Sequence, residues 1–190
     1  MSERDRKRFE QMLAFHCAPT LLSVKCANLF AVKQTELSIS DIEEYFSGRH
    51  ASVRFLCRCS ERALLYVYQK ELLEMWLADE RVLDFLEEYG YDRDLTTEQR
   101  LDILEQRISC TEFPHEIGIF LGYPVDDVIG FIENGGANYL FCGFWKVYSE
   151  PQKAKTEFEK YVYCRSFLCN KIAGGLDLYR AMATFKEEKR

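Results

Sequence analysis

The chain has no apolar run near the roughly 20 residues that a bilayer-spanning helix needs, and no apolar segment follows its charged opening, Glu3 to Glu10, to form an export signal. No membrane insertion is expected, and a cytoplasmic location is. Cysteine is present eight times in 190 residues, below the roughly 8–10% of a small disulfide scaffold. No two cysteines stand in the Cys-x-x-Cys spacing, which argues against a zinc ribbon and a thioredoxin-type redox centre. Cys57 and Cys59 are separated by one residue, Cys164 and Cys169 by four, and Cys17, Cys26, Cys110 and Cys142 stand alone. In a reducing compartment they read as free thiols, or as ligands gathered from distant segments. A glycine-rich dinucleotide loop, an internal repeat and a low-complexity linker are also missing.

Positive charge is missing from one long stretch. Residues 108–145 carry Glu112, Glu116, Asp126, Asp127 and Glu133 without a single Lys or Arg, in a chain of formal net charge −6. A segment of this kind repels phosphate backbones, so nucleic acid is not an expected partner. The helix-turn-helix pattern from Pro114 to Asn134 fails as a DNA reader for the same reason, since its second helix offers Asp126, Asp127 and Glu133 to the groove. Such a surface would instead attract a cation or a basic protein.

What is present suffices for one packed core. Hydrophobic residues make up 47% and charged residues 29%, a composition of ordinary globular domains, and residues 1–190 read as a single domain. Pattern and punctuation predict an opening helix over 3–14 and a short helix begun by Pro19. A strand over 28–32 follows, then a helix capped by Ser40 with Glu43 and carrying Ile42, Tyr45 and Phe46. Val53 to Cys59 alternates with Val53, Phe55, Cys57 and Cys59 on one face, and Ala63 to Tyr68 returns as its hairpin partner. Two amphipathic helices separated by Asp79 come next, then a helix capped by Thr96 with Gln99. Pro114 and Pro124 each start a helix. Phe141 to Tyr148 reads as a strand, and Glu150 to Ala173 as a long helix with Phe158, Tyr161, Val162, Leu168 and Ile172 inward. The sum is an α+β fold: one compact domain with a small, mainly antiparallel sheet covered by several helices.

Two segments concentrate chemistry. Cys17, two residues before Pro19, is placed at a helix N-terminus, where dipole and free amides favour a thiolate. His115 follows Pro114 at another helix start, so Cys17 and His115 form a candidate nucleophile and base, with Glu116 or Asn134 as the orienting group. The metalloprotease pattern fails because position 119 is Ile119 rather than a second histidine. For a metal, Cys17, His115 and Cys142 supply soft and borderline ligands, with Cys164 or Cys169 as a fourth. Thr20 and Lys25 flank the Pro19 helix as an anion subsite, with Lys146 beside Trp145 adding a second positive charge. Against each stands a plainer alternative: buried cysteines as small hydrophobes, a hydrogen-bonded histidine, an ordinary capped helix.

Three strings then resemble a known family over nearly the whole chain: His16-Cys17-Ala18-Pro19-Thr20-Leu21 with Lys25 and Asn28-Leu29-Phe30; Phe113-Pro114-His115-Glu116-Ile117-Gly118 through Phe120-Leu121-Gly122-Tyr123-Pro124; and Gly130 to Asn134 followed by Gly143 to Tyr148. The chain resembles domain of unknown function 3793, a family of anaerobic Gram-positive bacteria. The resemblance implies a soluble bacterial protein and transfers no activity. Against the family pattern Ser23 stands where glycine is usual, and the segment before Gly143 holds fewer cysteines.

The expectation is therefore a small-ligand or metal-binding protein with a Cys17, His115, Glu116 thiol site. His16, Thr20, Lys25, Asn134, Trp145 and Lys146 line its ligand pocket, and no cofactor is named. The alternative is a non-enzymatic interaction module that docks a protein through the acidic 108–145 surface.

Overall fold

In a computed structural model, the chain is described except for residues 34–36, 59–61, 109–112 and 189–190. The residues gather into two compact units. Unit 1 comprises Met1–Gln69 with Lys160–Arg190, and unit 2 comprises Lys70–Glu159.

Unit 1 is built on helix α1 (Glu3–Leu21), which Ser2 caps by accepting the Asp5 N–H. Pro19 begins no new helix; it sits inside α1, in its last turn. The apolar stripe Phe9, Leu13, Cys17, Ala18 and Leu21 runs straight through that position into the core, and its burial outweighs the missing backbone donor. The chain leaves α1 through Ser23, whose φ of 57° is left-handed. Strand β1 (Ala27–Lys33) follows, then helix α2 (Ile39–Phe46), capped by Ser38, two residues before the expected cap.

Strands β2 (Ser52–Arg58) and β3 (Arg62–Tyr68) form the expected antiparallel hairpin, and β3 also pairs with β1, giving the order β1-β3-β2. The strict alternation expected along β2 does not hold. Phe55 pairs with Leu65 and Cys57 with Leu64, so a bulge at Leu56 throws Cys57 onto the face opposite Phe55. Cys59 lies outside the described residues. Phe30, Val32, Phe55, Ala63, Leu65 and Val67 pack against α1 and α2 in one core. Helix α8 (Pro151–Ala173) places its residues from Lys160 onward in this unit. Tyr161 and Leu168 are buried, but Val162, expected inward, is half exposed. A further helix unread in the sequence, α9 (Leu178–Glu188), docks Leu178, Ala181 and Phe185 into the same core. Asp177 caps it, accepting the Arg180 N–H at 2.9 Å.

Unit 2 opens with helices α3 (Lys70–Leu77) and α4 (Glu80–Glu88), the latter capped by Asp79 as expected. Helix α5 (Thr97–Arg107) carries the complete Thr96–Gln99 capping box. The helix expected from Pro114 is shorter: α6 covers only Ile117–Phe120, and Pro114 and His115 lie in the turn before it. Gly122 turns the chain with φ 71° into helix α7 (Val125–Glu133), which starts directly after Pro124. The aromatic stretch after it folds back on itself as two short antiparallel strands, β4 (Phe141–Cys142) and β5 (Lys146–Val147), because Gly143-Phe144-Trp145 forms a tight turn. Among the described residues no helix is long and apolar enough to cross a membrane.

Candidate functional site

Within unit 2, α6, α7 and the β4–β5 hairpin enclose a cavity of about 320 Å³. That size lies at the lower end of the range for small-molecule sites, about 300–1,000 Å³. Ile117 and Gly118 from α6, Val128 and Phe131 from α7, and Phe144 and Trp145 from the hairpin turn form its apolar walls. Tyr123 stacks on Trp145 with ring centroids 5.0 Å apart, and its hydroxyl donates to the Phe144 carbonyl at 3.2 Å. Phe158 of α8 stands edge-on to Trp145 at 4.5 Å, backing the wall.

Glycines allow these elements to close. A Cβ at Gly143 would lie 2.2 Å from the Phe158 ring, and one at Gly130 would lie 2.5 Å from Tyr148. The hairpin is fastened to α7 by one side chain. Asp127, 2% exposed, accepts from the Trp145 indole N–H at 2.6 Å, the Tyr148 and Ser149 backbone N–H groups at 2.8 Å each, and the Ser149 hydroxyl at 3.1 Å. A buried carboxylate meeting four donors, three on one oxygen and one on the other, is a fixed structural anchor.

Three other polar groups line the cavity: His115, Cys142 and Lys146. His115 is exposed and stands edge-on to Phe131 at 5.2 Å. The Cys142 thiol is exposed. The Lys146 ammonium donates to the Gly136 carbonyl at 2.7 Å and lies 5.5 Å from the Phe131 ring and 5.2 Å from the Tyr139 ring. Together they present a cation, an imidazole and a thiol around an aromatic hollow, an arrangement suited to holding a flat molecule.

The residues expected to share one site divide between the units. Trp145, Lys146, His115 and Cys142 line the cavity, whereas His16, Cys17, Thr20 and Lys25 belong to unit 1. Cys17 corrects the expected thiolate. It lies deep within α1 rather than at a helix start, is fully buried in hydrocarbon, and burial pushes its thiol pKa up rather than down. Thr20 donates to Asn28 at 2.7 Å and its carbonyl accepts from Gln69 at 2.9 Å, both in the interior of unit 1, so it is an internal polar tie rather than an open anion subsite. Lys25 is buried against the Tyr161 ring, and desolvation pushes its ammonium down to about 8. His16 is exposed and stacks on Phe30 at 5.2 Å.

Glu116 does not orient His115. It turns into the interior of unit 2, where the Arg107 guanidinium meets it at 2.6 Å and Tyr91 donates to it at 3.3 Å. Asn134 lies outside the lining and closes the end of α7, donating to the Gly130 carbonyl at 2.8 Å. Among the described residues no three His, Cys, Asp or Glu side chains gather as metal ligands; of the expected set, His115 and Cys142 line the cavity and Cys17 belongs to unit 1. Of the acids in the 108–145 stretch, Glu116 and Asp127 are buried in their own bonds, Asp126 is exposed and pairs with Arg81 at 2.6 Å, Glu133 is exposed, and Glu112 lies outside the described residues.

Sequence reasoning missed Tyr123, Asp127, Phe131 and Phe144 as site residues. Asp127 carried a readable signal, since it falls on the apolar side of α7 with Val128 and precedes an aromatic stretch whose indole needs an acceptor.

Residues 13–182 match the model of a family described as protein of unknown function (DUF3793). No curated protein matches the chain, and no solved structure does.

Proposed function

The chain belongs to the DUF3793 family, whose description assigns no activity, and from the chain's own geometry we propose that it is a small-ligand-binding protein whose site is the cavity of unit 2. One observation carries this reading: a hollow of about 320 Å³ is walled by aromatic and aliphatic side chains and edged by His115, Cys142 and Lys146. An apolar cavity with a few convergent polar groups is the usual form of a small-molecule site.

Ligand-observed NMR with a fragment set, followed on the labelled protein, tests the reading. Binders are expected to shift the indole N–H resonance of Trp145 more than that of Trp76. They are expected to be lost in Cys142→Trp, where an exposed lining residue is replaced by one large enough to block the opening. Fragments that bind equally well to Cys142→Trp, or none that binds, would overturn the assignment.

A further inference from the structure

Residues 108–145, which build most of the cavity, carry acids and no Lys or Arg, yet Glu116, Asp126 and Asp127 do not offer their charge to the hollow. Glu116 is taken by Arg107 and Tyr91, and Asp126 by Arg81. Asp127 reaches the lining with both oxygens occupied: one accepts the Trp145 indole, the other the Tyr148 and Ser149 donors. Lys146 has the opposite situation. Its ammonium has three donors, and within the described structure these meet one acceptor, the Gly136 carbonyl at 2.7 Å, together with the faces of Phe131 and Tyr139. Gly136 is left-handed, at φ 75°, and a Cβ there would lie 3.2 Å from Nζ, so the glycine holds its carbonyl against the ammonium and the ammonium at the cavity.

A half-buried cation held at an aromatic pocket, with Glu116, Asp126 and Asp127 spent on other donors, favours a negative group on whatever enters. The effective dielectric there is below that of water, which strengthens the attraction. Resting on the ligand-binding reading above, we propose that the cavity takes a one- or two-ring aromatic acid, its ring against Phe131 and Trp145 and its carboxylate on Lys146. His115, on the same lining, supplies a second donor to that group.

Calorimetric titration of the intact protein with 2-naphthoate, 2-naphthamide and 2-naphthylmethylamine separates ring from charge. The carboxylate is expected to bind at least tenfold tighter than the amide, with the ammonium compound weakest and the preference shrinking as salt rises. Lys146→Gln is expected to bring carboxylate and amide level, and Lys146→Arg to keep them apart, so a loss caused by misfolding is told from a loss of charge. Equal affinity of carboxylate and amide for the unaltered protein would overturn the anion assignment and leave the cavity as a site. Preference for the ammonium compound would overturn it in sign. Absence of binding by all three at millimolar concentration would overturn this proposal and count against the cavity reading with it.

Discussion

The Trp145 indole donates to the Asp127 carboxylate at 2.6 Å, from a hairpin turn to the first turn of α7, with both side chains buried. Three more donors from Tyr148 and Ser149 close on the same carboxylate. One side chain therefore fixes the wall of the cavity and the exit of the hairpin together. Asp127→Asn keeps the shape but replaces one acceptor by a donor facing a donor. It is expected to cost about 2–3 kcal/mol in urea unfolding and to move the Trp145 indole N–H resonance. An unchanged resonance would remove Asp127 from this role.

Lys25 gives the fold a pH dependence of unusual sign. Burial lowers its folded pKa to about 8, below an unfolded value of about 10.4, with the Cys26 and Cys17 sulfurs and the Tyr161 ring around it. Between those two values the unfolded chain binds the extra proton, so stability rises with pH; below about 8 both states are charged and the desolvation cost is present in full. Cys17 and Cys26, whose thiols burial pushes up, act against it at higher pH. Relative to Lys25→Met, the unaltered protein should gain stability from pH 7 to 9 in chemical unfolding. Parallel curves would contradict this.

The thiols should react in the order of their exposure. Cys142 is exposed at the cavity, whereas Cys17, Cys26 and Cys164 are buried. Brief alkylation of the native protein, read by peptide mass spectrometry, is expected to label Cys142 at least tenfold faster than Cys17, with the difference gone in denaturant. Rapid native labelling of Cys17 would contradict its placement.

Ser23 holds a φ of 57° directly after α1, a conformation that glycine adopts without strain. Ser23→Gly is expected to stabilise the protein by about 0.5–1 kcal/mol, seen as a higher melting temperature; a lower one would refute it.

Gly143→Ala tests the hairpin turn from the other side. The new methyl would meet the Phe158 ring at 2.2 Å, and that ring is already held against Phe141, Phe144 and Trp145. A loss of about 1–3 kcal/mol, with fragment binding weakened, is the expected outcome. Wild-type stability in this variant would show that the aromatic wall yields freely.

Elements governed by neighbouring residues were legible in the sequence. The Thr96–Gln99 box, the Asp79 cap and the β2–β3 hairpin all rest on contacts a few residues apart. Those governed by distant packing were not. Pro19 reads locally as a start, but the stripe around it carries α1 past it. Leu56 inserts a bulge that no alternation announces, and α9 depends on a core assembled from far along the chain. The site divides in the same way. His115, Cys142, Trp145 and Lys146 fall within one third of the chain and reach one cavity, while the pairing of Cys17 with His115 spans about half of the chain and rests on chemistry alone. Asp127 was counted with the solvated acids because charge was summed over a segment rather than followed to its donors.

The irregularity at Leu56 also bears on how molecules of this protein meet. Strand β2 ends the sheet on one side, so among the described residues its outer ladder pairs with no other strand. An interrupted ladder presents amides and carbonyls out of step with those of a regular neighbour, and is a poor template for a visiting strand. The inserted residue thereby guards against ordered aggregation through the free edge of the three-stranded sheet seen among the described residues.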